Sequence, residues 1–439
     1  MFEEARRGRQ GDGMTEAVMP WHDVARAPGR GAEAIEGERI AVTAAAAAVA
    51  MLPMLSPAGP ANTAPVDLLI AFAVSACLFW AGTSGHRLRF PYILPMGLLM
   101  VGGALGALVG PLPRSGIVAL AQDMILLVWC WAVVNIASSV GRLRVVLAAW
   151  AYGAIAWAVL LFIGVALGLS FLSGQTESEG SRTALTFGDP NFAASYWFIS
   201  IMVLWATGLP RRRGARVAAY VLLVAALIST GSNSGMVSLL VGVLVAGVLS
   251  TYHRFGLAAA APVLAVLVLG GYLALTSVSI SAVQRTAYES PYEFVRDGIG
   301  RGHKSVIQRS TLRAQSLALY REGGPLGAGP VSTKERLRAQ MAPFVKEAHD
   351  DYLAALVERG FLGVLGLAVL IAVLLRRTPR LAPGRMTAGF AAVVPRPHAL
   401  IGAVVGSMGA MAVVELLHAR HVWTLFAFVA ALCLWGSRR

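Results

Sequence analysis

Twelve apolar runs constrain this chain more than any other feature. They lie at about 40–56, 66–83, 92–111, 117–137, 145–173, 190–209, 217–230, 235–250, 256–280, 355–375, 399–417 and 422–436. A helix needs about 20 apolar residues to span a bilayer core, and most of these runs approach that length. Composition agrees: the 439 residues are 56% hydrophobic and only 14% charged, against about 25% charged in a soluble domain. The expected fold is therefore all-α, a polytopic integral membrane protein with about 12 transmembrane helices. The first run is alanine-rich and broken by Pro53, so eleven spans stays open.

The net charge of +14 raises nucleic-acid binding, and the placement of the charge answers it. Only Lys304, Lys334 and Lys346 are lysines among the 37 basic residues. The arginines sit mainly in short connections between apolar runs, which is a membrane-orientation pattern and not a nucleic-acid face. With the N-terminus inside, the short inner connections hold Arg87, Arg89, Arg142, Arg144 and Arg254, with four more arginines over 211–216. The short outer ones hold only Arg114, Arg182 and Arg420. Both termini are thus expected in the cytoplasm.

The same pattern divides the chain. Residues 1–39 are polar and of mixed charge, which reads as a disordered cytoplasmic tail. Residues 40–280 carry transmembrane helices one to nine, 281–354 form a large extracytoplasmic loop with amphipathic helices, and 355–439 carry the last three spans. Cys77, Cys130 and Cys433 lie in apolar runs without CxxC spacing, so they define no disulfide framework.

Polar residues within or beside apolar runs are the first candidates for chemistry. Gly231-Ser-Asn-Ser-Gly235 joins two short runs. It either dips below the outer surface, where irregular backbone lines a cavity, or forms a tight surface hairpin. Asp123 beside Gln122, and Glu415 three residues before His418, are functional candidates or structural hydrogen-bonding groups. Gly102, Gly106 and Gly110 are spaced for close helix packing.

In the outer loop, 304–321 reads as a helix with Arg309, Arg313, Ser316 and Tyr320 on one polar, cationic face. Pro325-Leu-Gly-Ala-Gly-Pro330 then stops it. A second amphipathic stretch opens at His349, whose ordinary pKa near 6.5 suits a general base and whose plainer role is a cap. Asp350 and Asp351 read as solvated helix-start acids. The chain has no P-loop, GxGxxG, HExxH or Asp-x-Asp pattern, and no cofactor or metal is called for.

Four of these stretches together resemble a known family. Thr186-Phe-Gly-Asp-Pro-Asn-Phe-Ala-Ala194 is similar to the Gly-x-Pro-Asn motif of bacterial O-antigen ligases and O-antigen polymerases. Leu227-Ile-Ser-Thr-Gly-Ser-Asn-Ser-Gly235 resembles their Thr-Gly-Ser-Arg-Gly segment. Arg309 with Pro325-Leu-Gly-Ala-Gly329 resembles the outer-loop arginine and its Pro-Leu-x-Gly-x-Gly turn. Ala348-His-Asp-Asp-Tyr-Leu353 resembles the family's Ala-His-Asn-x-x-Leu signature before a Gly-bounded span. The likeness covers about 180–375.

The resemblance implies a membrane glycosyltransferase. It would take a polyprenyl-diphosphate-linked glycan donor at the outer face of the plasma membrane and pass the glycan to a glycan or lipid acceptor. Arg309 would hold the diphosphate, for which a guanidinium fork is well suited, and His349 would activate or orient the acceptor. Arg313, Asn191 and Tyr320 are candidate substrate-binding residues. Asn233 stands where the family has Arg, and Asn cannot neutralise charge; either Arg182 replaces that cation or the donor differs. The alternative reading is a transporter or flippase for a lipid-linked or amphiphilic substrate, with Asp123 as its buried carboxylate.

Overall fold

The computed structural model describes residues 30–58, 63–176, 180–277, 279–293, 296, 302–342, 350–382 and 384–437. Among them the secondary structure is helical, with one isolated bridge between Met386 and Ser437. The helices are α1 (Arg30–Ala50), α2 (Pro65–Ser84), α3 (Ile93–Val109), α4 (Pro113–Ile136), α5 (Val140–Ala166), α6 (Ser170–Ser173), α7 (Pro190–Thr207), α8 (Arg213–Ser229) and α9 (Asn233–Phe255). They continue as α10 (Leu257–Ser277), α11 (Ile280–Tyr288), α12 (Gly302–Gly323), α13 (Ser332–Ala339), α14 (Asp351–Arg377), α15 (Ala388–Val393), α16 (His398–Ala410) and α17 (Arg420–Trp435).

Each apolar run is met by a helix. By length and composition α2, α4, α5, α9 and the α14 segment can each cross a bilayer. Ile93–Val109, Leu257–Gly270, His398–Ala410 and Arg420–Trp435 are shorter apolar helices. The chain is a multi-pass membrane protein.

Local signals set the helix ends. Pro65 occupies the first turn of α2, and the Asp67 carboxylate accepts from Ala64 N at 2.8 Å, satisfying a backbone donor that a helix start leaves open. Asp189 caps α7 just before Pro190, and Gly208 ends it in the left-handed region (φ 70°). Asp350 caps α14, accepting from Tyr352 N and Leu353 N.

Helices α7 and α17 form the centre. Both are buried on nearly every face, as expected for helices apolar all round. Hydroxyls on both helices take tryptophan donors from their neighbours: Trp150 Nε1 donates to Ser200 at 3.0 Å, and Trp129 Nε1 to Thr424 at 2.8 Å. Outer helices instead leave Leu68, Phe72, Leu108, Val221 and Leu240 exposed, an apolar surface of the kind that lipid covers.

The bundle has two chemically distinct ends. The connections that the arginine count assigns to the inner side meet at one of them. There Arg89 N donates to Asn135 and Arg396 N to Ala206 O, Thr387 N donates to Gly436 O, and Arg142 pairs with Glu38. Arginines at this end lie on aromatic rings, Arg142 over Trp80 and Arg377 over Tyr92, a cation–π arrangement. The opposite end gathers the starts of α2, α7, α9, α14 and α17.

Candidate functional site

The starts of α7 and α9 form one corner. Ser232 Oγ donates to Asn191 Oδ1 at 2.8 Å, and the same oxygen caps α9 by accepting from Gly235 N at 3.4 Å. Asp189 Oδ1 accepts from Asn191 N at 2.6 Å. Close packing fixes the approach: a Cβ on Gly235 would sit 2.5 Å from that of Ala194. Thr230 and Ser232 are buried, so the turn is packed in protein and is not a loose surface hairpin.

Arg182 reaches this turn. Its Nε donates to Thr230 O at 2.8 Å. The neighbouring Thr183 N donates to Ser229 O at 3.0 Å, and the two hydroxyls meet at 2.7 Å. Asn233 is the exposed first residue of α9. The corner therefore combines two adjoining helix N-termini, a guanidinium, an amide and serine hydroxyls. Helix N-termini and arginine both favour anions.

Beside the corner, α9 packs along α16; a Cβ on Gly406 would lie 2.5 Å from Ser238 O. The loop leaving α16 is then held by α14 and α12. Arg313 Nη2 donates to Ala412 O at 2.6 Å and to the Asp350 carboxylate at 3.3 Å. Burial raises the Asp350 carboxyl above its ordinary range, opposed by the Leu353 and Tyr352 amides and by Arg313.

Asp351 departs from the expectation of a solvated acid: it is 2% exposed. Its carboxylate accepts from Leu416 N at 2.6 Å and Leu417 N at 3.2 Å, while its own N–H donates to Met411 O. The loop needs a partner for those amides, and Asp351 is the acceptor the fold supplies.

The outer-loop helix also differs from the single polar face expected of it. Leu312, Ser316 and Leu319 form its buried stripe, because positions four and three apart share a helix face. Ser316 falls inside that stripe as a small residue. Tyr320 packs with Leu312, Leu319, Leu337 and Val357 and does not join Arg313 and Asp350. Arg309 belongs to α12, with its side chain outside the described residues, and His349 lies outside them altogether.

Backbone geometry explains why the Pro-Leu-Gly-Ala-Gly turn and the Glu-Arg-Gly sequence belong together. Gly360 (φ 62°, ψ −155°) interrupts α14, a conformation open to glycine. The turn fills the break: Ala328 N donates to Val357 O and Gly329 N to Glu358 O, both at 2.9 Å, and Phe361 N donates to Pro325 O. The Glu358 carboxylate accepts from Val331 N at 3.0 Å and Thr333 Oγ1 at 2.8 Å. The Gly102, Gly106 and Gly110 face of α3 packs on this unit; a Cβ on Gly106 would lie 2.6 Å from Glu358 O.

Next to the break, Arg359 Nη2 donates to Asp123 Oδ2 at 2.6 Å, and His418 Nδ1 lies 3.4 Å from Asp123 Oδ1. Burial works against charge on His418, but the Asp123 hydrogen bond and charge, with Glu415, raise its pKa to about 9. Asp123 thus ties α4 both to the Gly360 break and to the loop before α17. The sequence singles out the turn that holds Ser232, while Arg359 and Glu358 carry no role in that reading. Adjacent charges at the mouth of an apolar run are a usable signal for Glu358 and Arg359.

No curated protein matches the chain. The α8–α14 region does have a family counterpart: residues 218–368 match the O-antigen ligase family. The match takes in Ser232, Asn233, Arg309, Arg313, Asp350, Glu358 and Arg359, and Arg182 and Asn191 adjoin it through Thr230 and Ser232. Over residues 218–368 this multi-pass membrane protein is thus similar to the O-antigen ligase family, a likeness that implies a glycan-transfer kind of reaction.

Proposed function

We propose that the protein transfers or polymerises glycan from a polyprenyl-diphosphate-linked donor at the outer face of the plasma membrane, with both termini in the cytoplasm and about 12 spans. The supporting observation is the corner where Arg182, Asn191 and Ser232 meet at the starts of α7 and α9. In this reading the leaving diphosphate rests on that corner, where Arg182 and Asn233 face it, and on Arg309 with Arg313 from α12. Charge develops on the diphosphate as the glycosidic bond breaks, and preorganised cations and amides lower the barrier most there. His349 takes the acceptor hydroxyl's proton or orients that hydroxyl, and Asp350, next in sequence and held by Arg313, fixes the chain at that point. Tyr320 supports α12 from its apolar side.

The test is mass spectrometry of lipid-linked glycans in cells lacking the protein. These are complemented with wild type or His349→Ala at equal membrane abundance. Accumulated single repeat units identify a polymerase, and accumulated long lipid-linked chains identify a ligase. An unchanged glycan profile on deletion overturns the function, and full rescue by His349→Ala overturns the role of that residue.

A further inference from the structure

The opposite end of the bundle holds a cavity of about 720 Å³ lined by Arg89, Arg380, Arg385, Cys433, Trp435 and Ser437. We propose that it binds the phosphate-bearing headgroup of an anionic membrane lipid. Its chemistry is one-sided: three guanidinium groups line it, and no carboxylate is among its described lining residues. Arg89 is fixed in place, lying 4.2 Å over the Trp435 ring and donating to Leu434 O at 2.5 Å. Arg380 and Arg385 are exposed and, among the described residues, neither pairs with a carboxylate. Two free cations beside one preset cation suit phosphate oxygens, which guanidinium forks grip in pairs.

Size and surroundings separate a lipid headgroup from a bare ion. The volume falls within the roughly 300–1,000 Å³ range of small-molecule pockets, far more than one phosphate fills. The walls lead onto apolar surface: Phe90 follows Arg89 directly, and Phe90, Ile93 and Leu94 at the start of α3 are exposed, as is Leu375 near the end of α14. The two helices are close there, since a Cβ on Gly366 would lie 2.9 Å from Pro95 O and Arg377 covers the Tyr92 ring at 4.4 Å. Acyl chains can follow that surface while the headgroup occupies the cavity. Basic pockets between membrane helices recognise anionic lipids in this way. The inference is independent of the glycan-transfer reading, because the cavity lies at the other end of the helices.

The test uses the full-length protein, purified and delipidated in detergent. Native mass spectrometry and thermal unfolding are followed as phosphatidylglycerol, phosphatidylcholine or inorganic phosphate is added. Phosphatidylglycerol alone should give a retained adduct and a raised Tm. Arg380→Ala/Arg385→Ala should weaken that binding about 25-fold, at about fivefold for each arginine near an anionic surface. Arg87→Ala/Arg144→Ala, exposed on the same face but outside the cavity, should bind as wild type does. If the first double variant does not purify, Arg385→Gln is read alone, with about a fivefold loss expected. Equal binding of phosphatidylcholine, equal losses in both double variants, or full competition by inorganic phosphate would each overturn the proposal.

Discussion

Arg359 on the broken helix α14 donates to Asp123 on α4 at 2.6 Å, and the two side chains are only 8% and 5% exposed. The pair ties the Gly360 break to a second helix, and His418 closes on the other carboxylate oxygen. Removing one partner strands a buried charge, which costs about 3–5 kcal/mol. Asp123→Ala should therefore lower the Tm in detergent sharply. Asp123→Leu/Arg359→Met, which removes both charges, should recover most of that loss. A single variant as stable as wild type would rule the anchor out.

His418 gives this anchor a pH dependence with a definite sign. Its folded-state pKa is raised to about 9 from an ordinary value near 6.5. Stability from the charged ring is fully present below about pH 6.5 and is lost as pH rises through about 9. Thermal unfolding of wild type and His418→Gln should differ most near pH 6 and converge above pH 9. Parallel curves across that window would refute the assignment.

The Thr230 carbonyl places the Arg182 guanidinium at the turn that leads into Asn233. Arg182→Ala should reduce glycan transfer about 10- to 100-fold, the scale of a charged hydrogen bond worth about 1.5–3 kcal/mol. Adding Asn233→Arg to that variant should restore a large part of the activity. Transfer by membranes at matched protein level measures both. A null effect of Arg182→Ala would remove it from the site.

Gly106 faces Glu358 O and Gly329 N at 2.6 and 2.8 Å from where a Cβ would stand, whereas the position above Gly97 is open. Gly106→Ala should cost about 1–3 kcal/mol through overpacking. Gly97→Ala should be neutral or stabilise by up to about 1 kcal/mol. Thermal unfolding of the two variants side by side decides it.

Much of the architecture was written in local order. Apolar run length named the helices, because a bilayer offers a backbone no other partner than itself. Asp189 and Pro190 set the start of α7, since the cap and the proline act within one turn. The 102/106/110 glycines declared a packing face for the same reason. Other readings failed where the deciding partner was distant in sequence. Asp351 looked solvated beside Asp350, yet it serves amides 65 and 66 residues away. Ser316 looked part of a cationic face until the stripe with Leu312 and Leu319 buried it.

The sequence by itself determined that this is a helical, multi-pass membrane chain with the motifs of a glycan-transferring family, because hydropathy, caps and small-residue spacing act over a few residues. Only the tertiary structure decided that Arg182 and Asn191 share one corner with Ser232, that Asp123 anchors Arg359, and that three arginines line a cavity at the far end. Ser232 lies 41 residues from Asn191 and Arg359 lies 236 from Asp123. A buried charge or amide takes whichever partner the packing brings within reach, and no local pattern records which one that is.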